Sequence, residues 1–225
     1  MSGVLPLGVF LVIHMMANGR ALVGEAAFSE TLRRMRAVPG IFAIEILVVF
    51  APLVFHAAYG VWLIATSRSL AEPSPYPPTL RSLHRIAGVV ALVYIGYHLY
   101  EYRLALAIPG LRGGDFFTAL SSRLSSTTAG APLRAMFYIV GIAAVVFHFA
   151  TGLWGYMVAR GWFVSPRARR FAAAGASVVG AALFLAASNL VSFYATGARL
   201  VGRDTLTPLV VEPAPCPPPS ATASN

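Results

Sequence analysis

The chain has 225 residues, 57% of them apolar and 11% charged, with a mean hydropathy of +0.71. That balance excludes an ordinary soluble domain and points to an integral membrane protein of one compact helical domain. The formal net charge is +9, carried by arginine alone; with no nucleic-acid-reading motif, lipid headgroups and an associated protein are the expected contacts, and no nucleic acid is.

Five apolar stretches reach the roughly 20 residues that a bilayer crossing takes. They lie at about 4–24, 40–66, 84–108, 132–160 and 171–195, and helices are the spanning form for such runs. The first has no positive charge in residues 1–3 and contains His14, so it reads as a retained span rather than a cleaved signal peptide. A polar connection with Arg33, Arg34 and Arg36 leads to the second span, which holds Glu45 and His56. The Pro-rich turn SRSLAEPSPYPPTLRS includes Arg81 and precedes His84, Arg85 and the third span with His98. A Gly- and Ser-rich connection, with a short interfacial helix expected near Phe116 to Leu124, leads to Arg134 and the fourth span with His148. A short basic connection with Arg160, Arg167, Arg169 and Arg170 precedes the fifth span. Residues 204–225 hold six prolines and read as a disordered tail, leaving 1–203 as the membrane domain. The single cysteine, Cys216, lies in that tail, which excludes an internal disulfide and any thiolate-ligated cluster or zinc within the chain.

Alternate connections lie on opposite membrane faces. The first and third hold eight arginines and the second and fourth seven, so the positive-inside rule leaves the orientation open.

An ionisable side chain inside a span is costly in lipid and marks function. Four consecutive spans each hold a deep histidine: His14, His56, His98 and His148, spaced 42, 42 and 50 residues apart. Depth can be counted from the face of the second and fourth connections. At about 1.5 Å per residue His14 and His98 both lie roughly 20 Å deep, His56 about 13–15 Å and His148 about 15–18 Å. The four sort into two levels of two imidazoles, the ligand set for two bis-histidine haems stacked in a four-helix bundle. A lone buried histidine bonded to a backbone carbonyl is a common structural device, but four, one per span and paired in depth, are poorly explained that way. Zinc is disfavoured because the levels separate the ligands and no Cys or Asp joins them.

Gly60 and Gly152 each follow a histidine by four residues, on the same helix face. A side-chain-free spot there would let a flat macrocycle approach; close helix packing accounts for each glycine equally well. His84 shares a face with His98 but lies about 21 Å from it along the helix, outside both levels. A haem propionate or a quinone oxygen is its expected partner, against a solvated helix end. Arg81, Arg85 and Arg134 are candidates to pair propionates, with interfacial anchoring as the competing account. Glu45 precedes His56 by eleven residues, almost three turns, and is expected on the same inward face as the one acid well inside a span. A buried carboxyl of that kind suits proton exchange with a quinone.

The segments FLVIHMMAN, AIEILVVFAPLVFHAAYG, HRIAGVVALVYIGYHLYEYR and FYIVGIAAVVFHFATGLWGYMVARGW fall in this order along the chain. Together they resemble the cytochrome b subunit of succinate:quinone oxidoreductases, of the single-subunit, five-helix, two-haem type. The resemblance implies an all-α integral membrane bundle of five transmembrane helices, four of them enclosing two b-type haems. It implies that His14 and His98 ligate the iron of the haem distal to the catalytic subunits, and His56 and His148 that of the proximal one. It implies a bacterial inner membrane and a cytoplasmic N-terminus, with the second and fourth connections facing a flavoprotein subunit and an iron–sulfur subunit. Electrons would pass between the iron–sulfur subunit and a membrane quinone, of menaquinone type, in either direction. A dimer of such heterotrimers is an arrangement the resemblance admits. The succinate chemistry itself is not expected here, since the chain has no flavin or nucleotide motif. In two respects the chain departs from the family: His84 stands where its members carry glutamine, and almost nothing precedes the first span. The alternatives are a diheme subunit of another membrane dehydrogenase, of the formate dehydrogenase or hydrogenase type, and a haem-free transporter.

Overall fold

The computed structural model describes residues 3–66, 76–104 and 116–201, and helices are their only extended regular structure. In order they are α1 (Pro6–Gly19, prolonged by a 3-10 turn Arg20–Leu22), α2 (Glu25–Arg36), α3 (Ile41–Thr66), α4 (Pro78–Leu99, running on as a π turn Tyr100–Leu104), α5 (Phe116–Leu124), α6 (Leu133–Ala159) and α7 (Pro166–Thr196). Three of them, α3, α6 and α7, are long and apolar enough to cross a membrane. The stretch Pro6–Leu22 is apolar but shorter. α4 has the length, but Arg81, His84 and Arg85 in its first turns dilute its apolar run. The molecule is an all-helical bundle of membrane type. The expected tail at 204–225 lies outside the described residues, as does most of the Pro-rich connection.

Two helices begin earlier than their apolar runs. Pro78 stands in the first turn of α4 and Pro166 in that of α7, where a missing N–H costs nothing and the fixed φ suits the helix. Ser165 caps α7 by accepting a hydrogen bond from the Ala168 N–H at 3.2 Å. The basic residues Arg167, Arg169 and Arg170 are therefore helical rather than part of a connection. At its other end α7 stops at Gly197, whose φ of 76° suits a residue without a Cβ.

α6 is the central helix, with α4 and α7 packed against it. Small residues permit the close approach: a Cβ on Gly180 of α7 would lie 3.0 Å from the Ala150 Cβ of α6, and one on Gly141 would run into the Tyr94 ring of α4. α2 occupies what the sequence presents as a polar connection. Its pattern was readable, since Phe28 and Leu32 are one turn apart on one face. Phe28 is 2% exposed and meets Phe117 of α5 edge-on at 6.4 Å, while the Arg36 guanidinium lies 4.8 Å over the Phe116 ring. The first and third connections thus meet at one end of the bundle, around a buried cluster that includes Phe28, Phe117, Leu124, Tyr138, Phe193 and Tyr194.

Both α3 and α4 contain a π turn. In α3 it covers Glu45–Phe50, with the Ala51 N–H bonded to the Ile46 carbonyl five residues back. Pro52 follows at once; it offers no N–H to the preceding turn and its ring crowds the carbonyl four residues back, which widens the coil there. π turns of this kind recur at functional sites. Each of the two here carries one of the two acids in these helices, Glu45 and Glu101.

Candidate functional site

The four deep histidines meet as two pairs. His14 of α1 and His98 of α4 have ring centres 5.9 Å apart at an interplanar angle of 89°. His56 of α3 and His148 of α6 have ring centres 5.9 Å apart at 70°. Among the described residues no group of three or more His, Cys, Asp or Glu side chains is arranged to hold a metal ion by itself.

Different contacts hold the two pairs. Asn18, one turn after His14, donates to the His14 carbonyl at 2.8 Å, and its amide nitrogen lies 3.3 Å from the His14 Nε2. His98 sits in a cage of three tyrosines: Tyr94 at 5.9 Å, Tyr102 at 5.4 Å and Tyr138 at 6.0 Å between ring centres. Its Nδ1 is buried and has no hydrogen-bond partner. His148, in contrast, has its Nδ1 3.1 Å from the His84 carbonyl oxygen. That bond makes Nδ1 the protonated nitrogen and leaves Nε2 as the free donor.

His84 corrects the depth reading. Instead of standing apart near the surface, its ring stacks on His148 at 4.1 Å and 14°. Its Nδ1 lies 2.7 Å from the Thr151 Oγ1, and Tyr76 covers its other face at 5.3 Å. The misjudgement came from the helix start. α4 begins at Pro78 rather than at residue 84, which adds about 9 Å of helix beyond His84 at the rise of 1.5 Å per residue. The glycines follow suit. Gly152 faces His84, whose Cε1 would lie 3.6 Å from a Cβ there, so the spot beside His148 is taken by a second imidazole. Gly60 has nothing within 4 Å of such a Cβ. The glycine that admits the His148 ring is Gly88, where a Cβ would approach Cε1 to 2.9 Å. Arg81 and Arg85 lie half-buried in the first turns of α4, at the same end as His84.

Glu45 is not turned into the bundle with His56. Its side chain is 39% exposed and pairs with Arg103 at 2.6 Å. Eleven residues make three turns only on a regular helix, and the π turn that begins at Glu45 breaks that phase. Nor is it the one acid within a span. Glu101, overlooked in the sequence, is 3% exposed; it accepts a hydrogen bond from the Tyr138 hydroxyl at 2.6 Å and pairs with Arg134 at 3.0 Å and Arg123 at 3.2 Å. Arg134, a candidate for a propionate, is thus held by a carboxylate of the chain itself. The signal for Glu101 was its position three residues after His98, still inside the apolar run.

No family model matches the chain, and no solved structure matches it. Among curated proteins, the succinate dehydrogenase cytochrome b558 subunit of Bacillus subtilis (strain 168) is 35% identical over 170 residues, covering 75% of this chain and 80% of that protein. An identity of this size across most of both chains, in a chain whose structure is a membrane-type helical bundle, shows the lineage: the chain belongs to the family of succinate dehydrogenase cytochrome b subunits.

Proposed function

We propose that this chain is the membrane anchor and electron conduit of a succinate:quinone oxidoreductase, holding two haems b, one between His14 and His98 and one between His56 and His148. The observation that carries this is the pair of imidazole pairs in a chain of this family. Two imidazole nitrogens that would each reach a haem iron at about 2 Å would leave their ring centres about 6 Å apart. Both pairs stand at 5.9 Å, so the donor set fits. Bound haem supplies one-electron exchange at its iron. The chain's own residues fix the imidazoles: the His84 carbonyl sets the His148 tautomer, Asn18 steadies the turn that carries His14, and the tyrosine cage encloses His98.

In this reading α1, α3, α4, α6 and α7 are five spans, the N-terminus is cytoplasmic, and the membrane is the bacterial inner membrane. The second and fourth connections then receive the iron–sulfur and flavoprotein subunits, on the side of His56 and His148. Quinone in the membrane is the other electron partner. We assign proton exchange with it to Glu45, which has a half-exposed carboxylate beside Arg103 near the opposite end.

Purification of the tagged chain in mild detergent tests the whole reading. A flavoprotein and an iron–sulfur protein should copurify, a pyridine haemochrome assay should give two haems b per chain, and succinate should reduce them. A preparation without a b-type α-band, or one whose partner is not a flavoprotein, would overturn it.

A further inference from the structure

His98 is the one member of the two pairs that is buried without a bond to its Nδ1. What surrounds the ring instead is aromatic: Tyr94 and Tyr102 on its own helix, one turn to either side, and Tyr138 from α6. Tyr138 reaches across from another element, so its placement depends on what holds its hydroxyl, and that is Glu101 at 2.6 Å. Glu101 is in turn held by guanidinium groups from two further directions, Arg134 at the start of α6 and Arg123 on α5. The Arg123 guanidinium also lies 5.7 Å over the Tyr102 ring, so two of the three cage tyrosines are tied to the same ion cluster. The π turn Tyr100–Leu104 contains Glu101 and Tyr102.

A carboxylate this buried needs its partners, because an unpaired charge in a low-dielectric interior is expensive. Here two cations face one anion, so the cluster carries a net charge of +1 one helical turn from His98. The carboxylate is buried at 3% exposure, whereas the Arg123 and Arg134 side chains are 28% and 34% exposed, so water screens the two cations more than the anion.

We propose that Glu101 is a positioning residue for His98: through Tyr138 and Arg123 it fixes the tyrosine cage around the ring, and its charge, set against Arg123 and Arg134, tunes the redox level at the His14–His98 pair and not at the His56–His148 pair. This rests on the haem assignment above. A negative charge near an iron centre favours the oxidised form, and a positive charge the reduced form. Glu101→Gln keeps the size and an acceptor for Tyr138 but deletes the negative charge. Arg134→Gln deletes one positive charge. Tyr138→Phe keeps the ring and cuts its tie to Glu101.

The test is redox titration and ferric electron paramagnetic resonance of the intact purified complex. Haem content comes first: fewer than two haems b in the unchanged complex overturns both this inference and the function reading. With two present, Glu101→Gln should raise the midpoint potential of the His14–His98 haem and Arg134→Gln should lower it. Tyr138→Phe should alter that haem's ferric signal, because the signal would depend on how the His98 ring is held. The other haem should hold its potential and signal throughout. If a charge variant fails to assemble, Tyr138→Phe, which removes no charge, decides alone. Two haems with unmoved potentials and signals, shifts of the same sign in the two charge variants, or equal shifts in both haems overturn the inference while leaving the function reading standing.

Discussion

At the scale of single residues the two histidine pairs differ in what they lose on substitution. His148→Ala removes an imidazole held by the His84 carbonyl, and His14→Ala one steadied by Asn18. Each variant is expected to lose one haem and retain the other, and redox titration should show that different components vanish. Loss of the same component from both would undo the pairing. Glu45 lends itself to a kinetic test. With Glu45→Gln, haem content and electron entry from succinate should persist, while turnover with quinone falls by about tenfold, equal to roughly 1.4 kcal/mol in the barrier. Unaltered turnover across pH 6–8 would make Glu45 a structural partner of Arg103 only. Residue counts from the expected span ends grouped His14 with His98 and His56 with His148, and the rings meet in those pairs, but the depths themselves were off, since the start at Pro78 carries His98 about 9 Å deeper than counted. The neighbours of those rings were not. Whether Glu45 or Glu101 is buried depends on helical phase, and each π turn breaks the phase where an acid sits.

Helices with apolar runs were readable wherever the run was unbroken, as for α3 and α6, whose observed limits fall within a residue of those read from the sequence. α2 was missed because its polar composition masks a narrow apolar stripe, and its stability comes from a distant element rather than from its own sequence. That dependence is testable. Phe28 is almost fully buried against Phe117, and a large aromatic cut to Ala in such a place costs about 3–5 kcal/mol. Phe28→Ala should therefore lower the thermal unfolding midpoint in detergent and detach α2 from α5. Increased cleavage by trypsin after Arg33, Arg34 or Arg36, with both haems retained, would report it. An unchanged cleavage pattern would show that α2 is held by something else.

For the molecule as a whole, orientation was the property least available from the sequence, since arginine is spread almost evenly over both faces. The contact of α2 with α5 puts the first and third connections at one end of the bundle, but it does not say which face of the membrane that end occupies. The five spans proposed above would place the two termini on opposite faces. Cys216, the single thiol, follows the fifth span and is a built-in reporter. A membrane-impermeant maleimide should label it in intact spheroplasts if the N-terminus is cytoplasmic. Labelling only after permeabilisation would reverse the orientation or change the number of crossings.

A π turn is a helix holding one residue more than its regular path needs. Such a surplus can be shed without shortening the span, because the coil simply tightens. Removing Leu47 from the Glu45–Phe50 turn would swing everything before it by about 100° around the helix axis, carrying Glu45 away from Arg103 and leaving His56 where it is. Both haems should survive that deletion, and haemochrome analysis would show it. The same holds for Tyr100–Leu104, which lies beyond His98. At these two places the chain can lose a single residue, and turn a carboxylate to another helix face, while the four histidines keep their spacing in space.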